Sequence, residues 1–283
     1  MKQPRIEESG TGVEPRTVPV LMYHSVNDRP TRGTRALSVP VGAFARQLEI
    51  LEELGLHAVT MRRLVRHWRA CSRREKSALP SRPVVLTFDD GYRDFHDTVL
   101  PMLTGYRVPA TLYVTTGWLA DAGPAAAGRP LAPMLSRGQL AECAAEDVEI
   151  GGHSHSHPQL DRLRPERLRD EVLRNRDLLA EWAGTEPGTF GYPFGYSDAR
   201  VREVVRAAGY EGACAVANAL AAPGRQSPYA LARLTVGPST TEAAFRAVAS
   251  GEGIAREYAR ARTLTKGFAL YRRGARGLRG RRG

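Results

Sequence analysis

The chain alternates short apolar runs with segments in which apolar residues recur every three or four positions. Apolar runs bounded by Gly, Pro or charged residues predict buried strands, whereas the second pattern predicts amphipathic helices. The predicted strands are 18–23, 56–59, 84–88, 110–114, 148–150, 189–192, 212–217 and 229–236. The predicted helices are 44–54, 94–103, 137–145, 165–182 and 198–208, with one or two more in 241–262. This alternation is typical of βαβ units and a parallel sheet.

The number of repeated units favours a closed architecture. Seven or eight strand-helix units within about 220 residues fit a (β/α) barrel, whose site lies at the carboxyl ends of the strands. Segment 117–133 is rich in Gly, Ala and Pro, and we expect a surface loop there, at the rim of the site. We divide the chain into a disordered segment 1–16, a single domain 17–240, and a region 241–283 with a helix and a flexible basic tail.

Composition and charge exclude several classes of protein. Of the 283 residues, 42% are hydrophobic and 25% are charged, which is typical of a globular domain. The net charge is +11, but residues 254–283 hold ten Lys or Arg and one Glu, so only +2 remains for the rest. Because the excess lies in a tail, we expect no specific nucleic-acid partner. The tail is either a solvated segment or a peripheral contact for anionic lipid headgroups.

The cysteines and the N-terminal region bear on location. Cys71, Cys143 and Cys214 show no CxxC spacing, which disfavours a disulfide framework or a cysteine zinc site. The sequence has neither an apolar signal-peptide core nor a run of about 18 apolar residues. Unless a leader is missing from the sequence, we therefore expect a cytoplasmic protein, with any membrane contact made by the tail.

Two adjacent carboxylates, Asp89 and Asp90, follow the predicted strand 84–88 and precede Gly91. Neighbouring carboxylates repel each other, and a proton or a metal ion relieves that repulsion. Taken alone, the pattern is more typical of an Asp-Gly turn with a helix N-cap. The interpretation therefore depends on a second group of polar residues.

That second group is a set of alternating histidines after the predicted strand 148–150. His153 and His157 are four residues apart, so we expect one helical turn to present both imidazoles on one side and to direct His155 away. Two imidazoles and one carboxylate suit zinc, or cobalt or nickel, and leave positions open for water and substrate. A structural histidine cluster is the alternative.

Three segments match the motifs of one family in order and spacing. They are Thr87-Phe88-Asp89-Asp90-Gly91, His153-Ser154-x-Ser156-His157-Pro158 and, in part, Gly191-Tyr192-Pro193-Phe194-Gly195. Across residues 17–240 the chain resembles polysaccharide deacetylases of the NodB homology type, carbohydrate esterase family 4. The resemblance implies a distorted (β/α)7 barrel that hydrolyses N-acetyl groups of amino sugars. It also implies a divalent metal held by Asp90, His153 and His157, with Asp89 as the general base.

The resemblance extends to substrate contacts. It implies that the backbone N–H of Phe194, in the segment with Tyr192 and Pro193, stabilises a developing oxyanion. A Pro-Phe-Gly turn without a catalytic role is the alternative. Leu231 is a candidate for the pocket around the acetyl methyl group, and an ordinary core position is the alternative for it.

Two positions depart from the family pattern. Gly191 stands where the third motif usually has an arginine that pairs with the base, so we expect Asp89 to lack that partner and to be oriented by another group. Arg233 stands where the fifth motif usually has the histidine that protonates the leaving amine, and arginine cannot donate that proton at neutral pH.

A replacement acid is available near the start of the chain. His24 follows the first predicted strand and resembles the opening motif of the poly-β-1,6-N-acetylglucosamine deacetylase branch, in which that histidine is the acid. The first and last strands of a closed barrel are neighbours, so we predict that His24 is the general acid, with a structural histidine as the alternative.

These inferences combine into one prediction of function. We predict a metal-dependent hydrolase that removes N-acetyl groups from N-acetylhexosamine units of a glycan, glycolipid or glycoside. Zinc is the expected metal, with cobalt or nickel as alternatives. Because two motif residues are missing, a catalytically silent carbohydrate-binding domain is the competing hypothesis.

Overall fold

The computed structural model describes residues 17–259, and the predictions for 1–16 and for the tail beyond 259 lie outside this range. The strands within it are β1 (Val20–Tyr23), β2 (Ser25–Val26), β3 (Ser38–Val39), β4 (His57–Ala58), β5 (Pro83–Phe88), β6 (Ala110–Val114), β7 (Val148–Gly152), β8 (Thr189–Gly191), β9 (Gly212–Cys214) and β10 (Leu234–Thr235). The α-helices are α1 (Val41–Glu53), α2 (Met61–Ser72), α3 (Leu100–Tyr106), α4 (Arg137–Ala145), α5 (Pro165–Ala183), α6 (Ala199–Ala207), α7 (Glu242–Ala249) and α8 (Ile254–Glu257).

The main sheet is parallel and curled. Its strand order is β10-β1-β5-β6-β7-β8-β9, and β4 pairs with β5 beside this path. A parallel bridge between Cys214 and Leu231 joins β9 to the segment that leads into β10, which brings the two ends of the sheet together. The first and last strands of the main sheet are neighbours, as predicted, since Leu21 pairs with Leu234. The architecture is the distorted (β/α) barrel predicted from the sequence.

Burial explains why the strands are continuous apolar runs rather than alternating ones. All six residues of β5 are buried, because helices cover the outside of the barrel and side chains fill its interior. The last helices pack onto the same body, since Phe245 and Val248 of α7 belong to the main core cluster. No helix within residues 17–259 is both long and apolar enough to cross a bilayer.

Several elements differ from the sequence prediction. Helix α2 was missed because arginines interrupt its apolar stripe, although Met61, Leu64 and Val65 have helical spacing and are buried. The predicted helix 94–103 begins with a π-helical turn, Phe95–Val99, before α3. The predicted strand 229–236 contains only β10, since the Gln226 side chain accepts a hydrogen bond from Ala232 N (3.0 Å) and holds the preceding residues in a turn.

Candidate active site

Residues that follow the carboxyl ends of four strands line one cleft. His24 follows β1, Asp89 and Asp90 follow β5, His153 follows β7, and Phe194 comes shortly after β8. These side chains line a cleft of about 580 Å³. Carboxyl ends of parallel strands meet at one edge of a barrel, which is why residues far apart in sequence converge here. The loop predicted at 117–133 contributes Trp118, Arg129 and Leu131 to the cleft, as its predicted position at the rim requires.

The three predicted metal ligands lie together. Asp90, His153 and His157 each offer one ligand atom, and the three atoms lie within 4.8 Å of one another. Asp90 Oδ1 is 3.3 Å from Nε2 of both imidazoles. Within residues 17–259, Asp90 Oδ1 has no partner with hydrogen-bond geometry. A buried carboxylate oxygen that faces two imidazole nitrogens without hydrogen-bond alignment is suited to share a cation with them.

The backbone around these residues is strained. Asp90, Ser154 and His157 have φ values of 79°, 64° and 59°, in the left-handed region that non-glycine residues rarely adopt. The prediction of a helical turn at 153–157 is therefore wrong: the segment is a loop, in which Ser154 Oγ accepts a hydrogen bond from His157 N (3.0 Å). Strain of this kind is retained at functional sites, where the surrounding contacts enforce it.

A backbone carbonyl sets the orientation of the His153 ring. His153 Nδ1 lies 2.7 Å from Gly191 O, so Nδ1–H donates to that carbonyl and Nε2 faces Asp90. A Cβ atom at Gly191 would lie 2.9 Å from Tyr113 Cδ2 and 3.1 Å from His153 Nδ1. An arginine at this position would therefore crowd both the Tyr113 ring and the His153 imidazole.

Arg233, which immediately precedes β10, takes the place of the missing arginine. Arg233 is fully buried, and its two terminal nitrogens donate to Asp89 Oδ1 (2.6 Å) and Oδ2 (2.8 Å). The same side chain donates to Thr87 Oγ1 (3.1 Å), and its guanidinium lies 5.5 Å from the centroid of the Tyr113 ring. Asp89 therefore lacks the motif arginine and is oriented by another group, as expected, but the sequence did not predict that this group is Arg233. The sequence signal was a single arginine within the apolar run 229–236, because a charge buried among apolar residues requires a partner.

These contacts give the two aspartates different electrostatic environments. Burial alone raises the pKa of Asp89, but Arg233, together with His153 and His24, holds that pKa below its usual value. Burial also opposes ionisation of Asp90, and His153 and His157 hold its pKa well below the usual range. Both carboxylates are therefore ionised at neutral pH, and the charge on Asp89 is neutralised by a fixed cation.

His24 follows β1 and lies in the same cleft as the two carboxylates. It is partly buried and lines the cleft together with Asp89 and Asp90. Burial lowers the pKa of His24, and the attraction of Asp89 and Asp90 counteracts that effect only in part. His24 thus shares the cleft with Asp89 and Asp90, and its role as general acid stays a prediction.

The remaining predicted residues divide into two groups. Phe194 is 51% exposed and lines the cleft, with a φ of 60°. Tyr192 is buried, and its hydroxyl donates to Tyr229 O (2.9 Å) in a core cluster outside the cleft. Leu231 is also buried in the core. Pro193 is buried in the turn that presents Phe194. Of the four predicted substrate contacts, Phe194 lines the cleft, whereas Tyr192 and Leu231 occupy core positions.

Supporting residues also hold the histidine loop. His155 is buried and its Nδ1 lies 3.0 Å from Thr116 Oγ1, directed away from the metal ligands as predicted. Trp118, which the sequence did not identify, packs against the His157 ring with 4.8 Å between ring centroids. Phe194 contacts the same ring at 4.7 Å. The His157 ring therefore packs against two aromatic side chains.

Comparisons with known proteins agree with this geometry. Residues 76–213 match the family model for polysaccharide deacetylase. The chain is 26% identical to YxkH of Bacillus subtilis (strain 168) over 238 residues, which are 83% of this chain and 76% of that protein. Over 99 residues, 35% of this chain, it is 31% identical to the poly-beta-1,6-N-acetyl-D-glucosamine N-deacetylase of Escherichia coli (strain K12), and the match covers 14% of that protein.

A solved structure shows the same fold. The Streptococcus pyogenes deacetylase PplD in complex with acetate superposes with a TM-score of 0.69 at 23% identity, over 81% of this chain and 96% of that one. The fold and the grouped Asp and His residues define a barrel of the NodB type. Residues 76–213 are thus similar in sequence to the polysaccharide deacetylase family, and the described part of the chain has the fold of such a protein.

Proposed function

We propose that the protein is a metal-dependent deacetylase that removes N-acetyl groups from N-acetylhexosamine units of a glycan, glycolipid or glycoside. One observation carries the proposal: a candidate three-ligand metal set lies in the same cleft as a carboxylate paired with a buried arginine. The E. coli relative, named as an N-deacetylase of an amino-sugar polymer, supports the choice of substrate. We assign residues 17–240 to the catalytic domain, with α7 packed on its core.

The ligand set fits a divalent metal, with zinc as the proposed ion. Asp90, His153 and His157 would hold it, because one carboxylate and two imidazoles are borderline-hard ligands that leave positions open. When bound, such an ion supplies an activated water and polarises the amide carbonyl. The hydrogen bond from His153 Nδ1 to Gly191 O (2.7 Å) presents Nε2 to the ion.

Asp89 is the proposed general base. It is ionised, buried and held in one orientation by two hydrogen bonds from Arg233, so it is a proton acceptor with a fixed direction. Its backbone N–H donates to Tyr23 O (3.0 Å), which fixes the strand end that carries it. Asp89 therefore takes the proton of the attacking water.

His24 is the proposed general acid, and it gives its proton to the leaving amine. Burial lowers its pKa, which makes the protonated imidazole a stronger acid, and the two aspartates favour that protonated form. The backbone N–H of Phe194, at the mouth of the cleft, is the proposed donor to the developing oxyanion.

The competing hypothesis is a catalytically silent sugar-binding domain. It rested on the loss of two motif residues, and Arg233 supplies the partner of the base that position 191 lacks. Acetate release separates the two hypotheses. We expect the zinc-loaded protein to release acetate from an N-acetylglucosamine glycoside, and chelation followed by zinc to abolish and restore the release. Binding of the glycoside without acetate release from the zinc-, cobalt- or nickel-loaded protein would favour the silent domain.

A further inference from the structure

The cleft has a charged floor and apolar walls. Above the aspartates and histidines, the walls are formed mainly by Leu37, Trp118, Leu131, Phe194 and Val216. Leu131 is 45% exposed and Phe194 is 51% exposed, although both are large apolar side chains. Apolar groups of this size that remain exposed beside a cleft mark a surface for an apolar ligand. We therefore expect a polar part of the substrate to contact the charged floor and an apolar part to contact the walls.

Two loops build this mouth and contact each other. Thr31 Oγ1, in the segment between β2 and β3, donates to Leu131 O (2.8 Å). A Cβ atom at Gly33 would lie 3.1 Å from Leu131 Cβ, so the two loops are closely packed. The contact fixes Leu131, and with it the adjoining wall, relative to the catalytic floor.

Positive charge is concentrated on the same two loops. These two loops carry four exposed arginines, Arg29, Arg32, Arg35 and Arg129. None of them forms an ion pair with any acid in the range 17–259. Arg129 lines the cleft itself, whereas the only acids there, Asp89 and Asp90, lie at the floor. An unpaired guanidinium at the mouth of a site is suited to a phosphate, which it recognises by two parallel hydrogen bonds.

Charge and apolar surface together distinguish between substrate classes. A neutral oligosaccharide needs hydrogen-bonding side chains along a groove, and apart from Arg129 the walls offer mainly Ser156 and Thr235. We propose that the substrate is an N-acetylated sugar joined through a phosphate to a hydrocarbon chain. The sugar lies on the floor, the phosphate contacts Arg129, and the chain crosses Leu37, Leu131 and Phe194. This inference rests on the proposed deacetylase function.

The test compares five N-acetylglucosamine compounds that differ only in the group at the anomeric carbon: methyl, octyl, phosphate, octyl phosphodiester and uridine diphosphate. Acetate release is measured with the zinc-loaded full chain below the concentration at which the octyl compounds form micelles. We expect kcat/KM to be highest for the octyl phosphodiester, by about tenfold or more over the methyl glycoside, since both wall contacts are then made.

Two variants test whether Arg129 and Leu131, at the mouth of the cleft, cause the preference for the octyl phosphodiester. Arg129→Ala should lower the ratio of kcat/KM for the octyl phosphodiester over the octyl glycoside by about tenfold. Leu131→Ser should lower the ratio for the octyl phosphodiester over the sugar phosphate by roughly threefold to tenfold. Arg63→Ala is the matched control, because Arg63 is an exposed arginine beside the amino ends of β6 and β7, and it should leave both ratios unchanged.

The outcomes separate this inference from the proposed function. Equal kcat/KM for all five compounds would overturn the substrate assignment and leave the deacetylase function intact. A preference for the uridine diphosphate sugar over the octyl phosphodiester would rule out a hydrocarbon chain as part of the substrate. No acetate from any of the five would count against the deacetylase function itself.

Discussion

Two carboxylates at opposite ends of the barrel, Glu149 and Asp90, differ in their hydrogen-bond partners. At the amino end, Glu149 accepts hydrogen bonds from Thr111 Oγ1 (3.0 Å), Thr189 Oγ1 (2.5 Å) and Arg62 N (2.7 Å). At the carboxyl end, Asp90 Oδ1 faces two imidazole nitrogens at 3.3 Å without hydrogen-bond alignment. The carboxylate of Glu149 has its hydrogen-bond donors within the protein, whereas Asp90 Oδ1 is available to bind a ligand.

The difference shows what each end of the barrel does. Glu149 ties β6, β7 and β8 to the start of α2, and its three donors serve the fold. Asp90 has a φ of 79° and sits beside a second ionised carboxylate, and both features cost stability. A fold retains such a costly arrangement where binding or chemistry requires it.

The pKa values follow the same division. Burial raises the pKa of Glu149, and its hydrogen-bond donors offset that effect only in part. In Asp90 the imidazoles outweigh burial, and the pKa is held well below its usual value. The acid of the amino end therefore holds its proton more tightly than in the unfolded chain, whereas the acid of the carboxyl end is kept charged.

The largest expected effect is the loss of metal from the carboxyl end. Asp90→Ala, His153→Ala and His157→Ala should each abolish stoichiometric zinc binding, because each removes one of three ligands. Asp89→Asn should keep the metal and lower kcat by about 10²- to 10⁴-fold, since it removes only the base. Elemental analysis and acetate release measure the two effects, and Glu149→Ala is the control at the other end. Full zinc loading of His157→Ala would rule out the proposed site.

The next effect tests the acid. His24→Ala should lower kcat on N-acetyl amides by about 10²- to 10⁴-fold, and much less on an activated acetate ester whose leaving group needs no proton. Equal losses on both substrates would argue for a structural histidine. His96→Ala is a suitable control, because His96 pairs with Glu142 (2.7 Å) on the outside of the barrel.

The free energy of unfolding tests whether Arg233 and Asp89 at the carboxyl end depend on each other. Arg233→Met should lower the free energy of unfolding by about 3–5 kcal/mol, because it leaves the carboxylate of Asp89 buried without a partner. Adding Asp89→Asn should recover much of that loss, since the unpaired charge is then removed. Chemical denaturation of the three variants measures the coupling. If the losses in free energy of unfolding from Arg233→Met and Asp89→Asn simply add in the double variant, Arg233 and Asp89 are not coupled as the geometry requires.

The smallest effect is expected at the amino end. Glu149→Ala should lower the free energy of unfolding by about 1–3 kcal/mol through its lost hydrogen bonds, while zinc content and kcat stay unchanged. Because the pKa of Glu149 is raised in the folded state, its contribution is greatest at low pH and declines as pH rises through that raised value. Denaturation at several pH values should therefore show a smaller loss at neutral pH than at acidic pH. A loss that grows with pH would contradict this.

Much of the architecture followed from local pattern. The runs that became β5, β6 and β7 are apolar because both faces of a parallel strand are covered, so their positions were readable without a structure. The placement of Asp90, His153 and His157 at one edge also followed, because carboxyl ends of parallel strands converge. Sequence sufficed wherever the determining contacts are local or are imposed by the regular geometry of the barrel.

Only the tertiary structure assigned a partner to Asp89. Arg233 is 144 residues away along the chain, and at its position in the motif it had been interpreted only as the loss of a histidine. The curled sheet places β10 beside β1 and β1 beside β5, which brings Arg233 beneath Asp89, while Tyr113 fills the space next to Gly191. Local pattern specifies which strands form, but a buried charge is paired by whichever cation the closed sheet brings to it, and that choice depends on packing across the barrel.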